Sequence, residues 1–251
     1  MIQTEERYTS FCLVLVLLLI AVCFSSCDDE KAYCFEGDGN LTESEMNIPA
    51  FQSIYVYDGL NVYLHQAEEQ KVIIKAGKNI IHRISAEVND GGLFLRDQNR
   101  CNWSRDYQER EVHIWTKDIH TIEQSGYGKI VSADTLKMPD LNLRAQGGPG
   151  NYELTLDCER VVVHSWRYGT IKLAGKTRQL VVKYLNNNAI FDGRDLQAEE
   201  IEIIHKSHNS FHLYPIKSLK GEIRARGHTY LYHEPELIQV EQKGQGEIIV
   251  K

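Results

Sequence analysis

TIEQSGYGKIVSADTLKMPDLNLRAQGGPGNYELTLDCERVVVHSW, residues 121–166, sets an aliphatic residue four positions ahead of a turn at Ile122/Gly126, Leu143/Gly147 and Val162/Trp166. The step continues at Val181/Leu185, Ile203/Ser207, Ile223/Gly227 and Val240/Gly244, so the second members lie 21, 19, 19, 22, 20 and 17 residues apart. After each turn comes another short β run, such as Lys129-Ile130-Val131 or Ser210-Phe211-His212-Leu213. The first member is always Ile, Leu or Val, as an inward position on a strand requires. Four of the seven second members are Gly, which tolerates a tight corner. A unit of this size cannot bury its apolar face alone, so stacking of units makes the core. The period predicts a single-stranded parallel β-helix of about 20 residues per coil. An antiparallel sandwich would show turns every 8–12 residues and no common register of this length.

Working outward, residues 48–115 are β-rich but less regular. Ile54-Tyr55-Val56-Tyr57 leads through Asp58-Gly59 to Leu60-Asn61-Val62-Tyr63-Leu64-His65, and Lys71–Gly77 and Gly92–Arg96 continue the alternation. This segment reads as first coils with longer loops, or as a cap on the open end. No helical periodicity appears after residue 35. With 42% apolar and 25% charged residues in 251, the chain is an ordinary folded protein with enough length for a sizeable core. Its net charge of −7 argues against nucleic-acid binding, which needs clustered Lys and Arg.

The N-terminus reads as an address. Phe11–Phe24 is an unbroken apolar run of 14 residues, too short to span a bilayer and right for the core of a signal peptide. Ser25-Ser26-Cys27 follows and resembles a bacterial lipobox. That resemblance implies removal of residues 1–26 and lipidation of Cys27, with membrane attachment through the lipid. Asp28-Asp29-Glu30, in a tether over residues 27–47, is similar to the surface-export signal of Bacteroidetes lipoproteins and implies display on the outer membrane. Cys34, Cys101 and Cys158 are then the remaining thiols. An oxidising compartment favours one disulfide, and three pairings are open.

Phe51–Val56 with Asn61–Gln66 resembles the opening of the putative auto-transporter adhesin, head GIN domain family. Ile73, Lys75, Ala76, Gly77, Asn79, Ile80, Val88, Asp90, Gly91 and Leu93 continue the match, as do the turns at Ser125–Gly128, Gln146–Gly150 and Lys243–Gly246. The resemblance covers about residues 34–251 and implies a right-handed parallel β-helix over 48–251. It implies no catalytic residue. Within a Bacteroidetes subset of that family Cys34–Gly37 and Cys101–Ser104 look like a matched pair, implying a Cys34–Cys101 disulfide. Cys158 shares the parity of Leu154 and Leu156 and is expected inside as a free thiol. Between 164 and 233 the Gly-rich turns give way to Trp166-Arg167-Tyr168, Asn186-Asn187-Asn188 and His205-Lys206-Ser207-His208, a departure from the family pattern.

Four constellations are candidates for chemistry. His205, His208, His212, His228 and His233 form the densest His region, but no Cys or carboxylate sits beside them at ligand spacing, so no metal or other cofactor is expected. His164 and His205 are placed in one column two residues before the turn, with Gln124, Lys183 and Gln242. Asp192, Asp195, Glu199 and Glu200 are the nearest approach to a lyase-type acidic group, read as one loop with no basic partner. Tyr127, Trp166, Tyr168 and Tyr184 lie near successive turns and form a candidate ligand-binding strip. The expected function is adhesin-like and non-catalytic, with surface glycans or envelope proteins as partners. The alternatives are a polysaccharide-active enzyme and a purely structural envelope component.

Overall fold

The computed structural model describes residues 36–100, 109–148, 150–166 and 169–251, apart from the side chains of Tyr184, Asn186 and Asn187. Cys27, Cys34, Cys101 and Tyr168, and the tail of Tyr184, lie outside the described residues. From residue 38 onward these form a β-solenoid of about six turns with about 20 residues per turn.

The strands are β1 (Leu41–Met46), β2 (Ser53–Val56), β3 (Asn61–Gln66), β4 (Lys71–Gly77), β5 (Ile84–Asn89), β6 (Gly92–Asp97), β7 (Glu111–Thr116), β8 (Thr121–Gln124) and β9 (Lys129–Ser132). They continue with β10 (Leu136–Ala145), β11 (Asn151–Ser165), β12 (Thr170–Asn187), β13 (Ile190–Ser207), β14 (Phe211–Ile223), β15 (Thr229–Leu231), β16 (Leu237–Gln242) and β17 (Ile248–Val250). From β8 onward every pairing is parallel, coil on coil. The long strands bend through more than one face: β11 opposes β9 with residues 151–153 and β10 with residues 156–165.

Alternation explains the core. One inward column runs Val62, Ile130, Tyr152, Ile171, Phe191, Phe211, Thr229 and Ile248 through successive coils. A second runs Ile122, Leu143, Val163, Val182, Ile203, Gly221 and Val240. This second column corrects the sequence reading at two coils. Val162 opposes Val181 in an outward column with Asn142 and Glu202, while Val163 and Val182 face the core. Val161–Val163 and Leu180–Val182 are apolar on both parities, so alternation cannot choose between them. A register shift follows each run. The pair Ile223/Gly227 is also displaced: Ile203 stacks on Gly221, and Ile223 stacks on His205.

The N-terminal segment is both coil and cap. β2 lies between β6 and β8, and β3 between β7 and β9, all parallel. Strands β6 and β7 therefore sit beneath β2 and β3, in reverse of chain order. β4 pairs antiparallel with β7, β1 with β4, and β5 with β6. These antiparallel strands cover backbone groups that a parallel edge would leave open. Within this end, Arg110 and Asp97 form a buried ion pair, and Asn99 Nδ2 donates to Asp97 Oδ1 at 2.6 Å and to Ile80 O at 3.1 Å. Gly128, at φ +105°, packs so closely that a Cβ would sit 2.2 Å from Leu60 O.

Candidate functional site: a ring-bordered sheet face

On β3 and β7 the outward side chains are Tyr63 and His65 opposite His113 and Trp115. Parallel strands lie about 4.8 Å apart, so rings standing on neighbouring strands meet face to face. Tyr63 stacks on His113 with centroids 4.9 Å apart, His113 on His65 at 5.4 Å, and His65 on Trp115 at 4.5 Å. Lys129 Nζ lies 5.6 Å from the Tyr63 ring centre and Lys71 Nζ 5.9 Å from that of Trp115, closing both ends of the stack. The ring faces are thus occupied, and the stack presents edges, nitrogens and a hydroxyl.

Glu111 sets the protons. Its Oε2 lies 3.0 Å from His113 Nε2, and a carboxylate only accepts, so Nε2 carries the hydrogen. In the neutral form of His113, Nδ1 is then the acceptor for His65 Nε2–H at 3.1 Å. His65 Nδ1 faces Asp134 Oδ2 at 3.8 Å. Burial, then the neighbouring His113, hold His65 below the usual imidazole range, with Asp134 opposing them. Burial and the neighbouring ring thus favour the neutral form of His65.

A second cluster borders the same face on β13 to β15. Asp192 opposes His212, and His212 opposes Tyr230. His212 stacks on Tyr230 at 5.3 Å, and its Nδ1 is 3.0 Å from the Tyr232 hydroxyl. Arg194 Nε donates to Asp192 Oδ1 at 2.8 Å while its guanidinium lies 5.2 Å from the Tyr232 ring centre. Burial pushes the Asp192 carboxyl up, but the Arg194 hydrogen bonds outweigh it and hold the group below its ordinary range. Between the two clusters lies a groove of about 380 Å³ lined by Val131, Ser132, Glu153, Thr155, Lys172, Ala174 and Asp195. Short side chains on β9, β11 and β12 make the depression.

The strip expected from sequence fares differently. Tyr127 and Trp166 are exposed, at 68% and 46%. Trp166 stacks on His164 at 5.8 Å. The intervening coil supplies Gly147 and Gly148 at the same corner, with Gly148 against Gly126 O, so the described residues give two separate rings. The acidic group is also corrected: Asp192, Asp195, Glu199 and Glu200 belong to strand β13, Asp192 is paired with Arg194, and Glu199 with Lys217 at 2.7 Å. The polar column is Gln124, Ala145, Ser165, Leu185, His205, Ile223 and Gln242. His164 is not in it; it opposes Arg144 and Tyr184.

His205 is fully buried. Its Nε2 is 2.9 Å from Asn209 O, its Nδ1 is 3.0 Å from Thr229 Oγ1, and its ring stacks on Phe211 at 3.7 Å. Gln124 does the same at its own turn, donating Nε2 to Gly128 O at 3.0 Å. Burial pulls His205 down to about 4. His208 is exposed and His212 points out from the sheet, so the three do not converge. Among the described residues no three His, Cys, Asp or Glu side chains form a metal-binding group. Cys158 is buried and free, with burial raising its thiol to about 11. Tyr63, His65, His113 and Trp115 were missed from sequence because β3 and β7 pair in a register 50 residues apart; the only local signal is polar-aromatic residues at alternate positions of two strands.

The family model described as putative auto-transporter adhesin, head GIN domain, matches residues 50–235. The chain belongs to this family. Its solenoid is similar to a putative adhesin from Bacteroides fragilis, with a TM-score of 0.76 at 19% identity over 86% of this chain and 100% of the other. A putative adhesin from Parabacteroides distasonis gives 0.62 at 13% identity over 86% and 100%. A putative lipid binding protein from the same organism gives 0.62 at 14% identity over 85% and 98%. At these identities the likeness concerns the fold. No curated protein matches the chain. Among the described residues no helix is long and apolar enough to cross a membrane.

Proposed function

We propose that this head GIN domain protein is a cell-surface adhesin-type binding protein. It is held to the outer membrane by lipid on Cys27 and acts without catalysis, presenting one sheet face to glycan or protein partners. The observation that carries this reading is the ring-bordered face: two clusters of His, Tyr and Trp side chains on opposite sides of an open groove, on a rigid parallel sheet. Rigid strands hold such side chains in place before a partner arrives, which lowers the ordering cost of binding. The family and its adhesin-type neighbours support the same reading. The test has two parts. Protease added to intact cells should remove the domain, and full-length protein on beads should adhere to partner cells or mucin, weakened by His113→Ala with Trp115→Ala. Protection from protease, or adhesion indifferent to both substitutions, would refute it.

One observation favours a second reading. Asp192, Arg194, His212 and Tyr232 bring acidic, basic and proton-carrying groups together on adjacent coils, which a polysaccharide-active enzyme requires. Release of unsaturated or reducing ends from uronate-containing polysaccharide, abolished by His212→Ala, would establish it over the first.

A further inference from the structure

We propose that the groove between the ring clusters is a binding site for a neutral, linear glycan, a reading that rests on the surface-binding function above. On several coil edges of this molecule, opposite charges on neighbouring coils pair. Lys176 reaches Asp157 at 3.3 Å, Arg178 reaches Glu159 at 3.1 Å and Lys217 reaches Glu199 at 2.7 Å. In the groove the charges stand apart. Glu153 and Lys172 oppose each other across β11 and β12, yet form no ion pair among the described residues. Asp195, one coil further, forms none either. Three charged heads therefore stand over one depression with their hydrogen-bonding capacity free.

Their company decides the ligand class. Ser132 and Thr155 add hydroxyls, Ser132 Oγ being oriented by Thr155 N–H at 2.8 Å, while Val131 and Ala174 supply small apolar patches. A sugar ring carries vicinal hydroxyls, which a carboxylate accepts in pairs, and an apolar side that rests on small aliphatic groups. Two carboxylates against one ammonium leave the groove slightly acidic, which disfavours sulfated or uronate chains. A protein partner would need a large apolar anchor at the centre. The exposed large apolar residues, Leu41, Tyr127, Trp166, Ile190, Leu237, Ile238 and Val250, do not line the groove. The ring clusters on β3 and β14 stand five strand steps apart, about 24 Å at the usual spacing. A chain of several sugars lying across the strands would meet both, using the ring edges as donors and acceptors.

The experiment is a surface printed with neutral linear oligosaccharides of two to eight hexoses, beside sulfated and uronate counterparts. It is probed with the full chain in a glycoside-free detergent. Glu153→Gln, Asp195→Asn and Lys172→Met should fold as the parent, since none breaks an ion pair, and circular dichroism checks this. The expected result is length-dependent binding of neutral chains, weakened about tenfold by each substitution and unchanged by Tyr127→Ala with Trp166→Ala. Three results would overturn the proposal: preference for the anionic chains, neutral binding lost only in the Tyr127/Trp166 variant, or no glycan bound by folded protein. Each leaves the adhesin reading standing if beads still adhere to cells through His113 and Trp115, and both fall together only if that adhesion also fails.

Discussion

Lowering the pH should unlock the solenoid at His205. The ring is fully buried, its Nε2–H donates to Asn209 O, and its Nδ1 accepts from Thr229. Protonation would place a second hydrogen against a hydroxyl and a charge in the core. The folded protein therefore resists protonation down to about 4, whereas the unfolded chain takes the proton at its ordinary 6.5. A depressed value means that stability is complete above 6.5, falls as pH drops from 6.5 towards 4, and changes no further from this group below that. At roughly 1.4 kcal/mol per pH unit, the interval is worth about 3 kcal/mol. The control is His205→Gln, because Gln124 makes the equivalent carbonyl bond at its own coil. Loss of the Phe211 stack should cost the variant about 1 kcal/mol at pH 7, but its stability should fall less with acid. Urea denaturation of both proteins at pH 7, 6, 5 and 4 measures the difference, in which the carboxylates common to both cancel. If the two lose stability in parallel between pH 6.5 and 4, the burial argument for His205 is wrong.

Other consequences follow from the packing. Breaking the Asp97–Arg110 pair by Asp97→Asn should destabilise the fold by about 3–5 kcal/mol, read as a lower urea midpoint; Asp97→Leu with Arg110→Met should recover much of it. Val163→Ala should cost about 2 kcal/mol and Val162→Ala well under half that, a direct check in thermal melts of which valine faces the core. Gly128→Ala should be far more damaging than Gly91→Ala: both have positive φ, but a Cβ at Gly91 meets nothing within 4 Å. Peptide mapping after treatment with a thiol reagent should find Cys158 unlabelled in native protein and labelled in urea, since burial holds its thiol near 11.

Strand alternation and turn spacing are local properties, so the chain by itself determined the β class, the coil of about 20 residues and most inward positions. Ile122, Leu143, Ile203 and Val240 need only their own neighbours to declare their side. The order of turns and short motifs carried the family likeness in the same way. Where local pattern is silent, the tertiary structure decided. Val161–Val163 reads equally well on either parity, and only the register with β10 and β12 selects Val163. The coil order is another case: β6 and β7 pass beneath β2 and β3 because the intervening strands β4 and β5 run antiparallel at the end of the stack, which no periodicity records. The face itself belongs to this second class. Tyr63 and Trp115 share one ring stack because β3 and β7 became neighbours, and the groove exists because short side chains from three distant segments fall side by side. Neighbourhood across coils is fixed by where the chain returns, and that is a property of the folded solenoid rather than of any stretch within it.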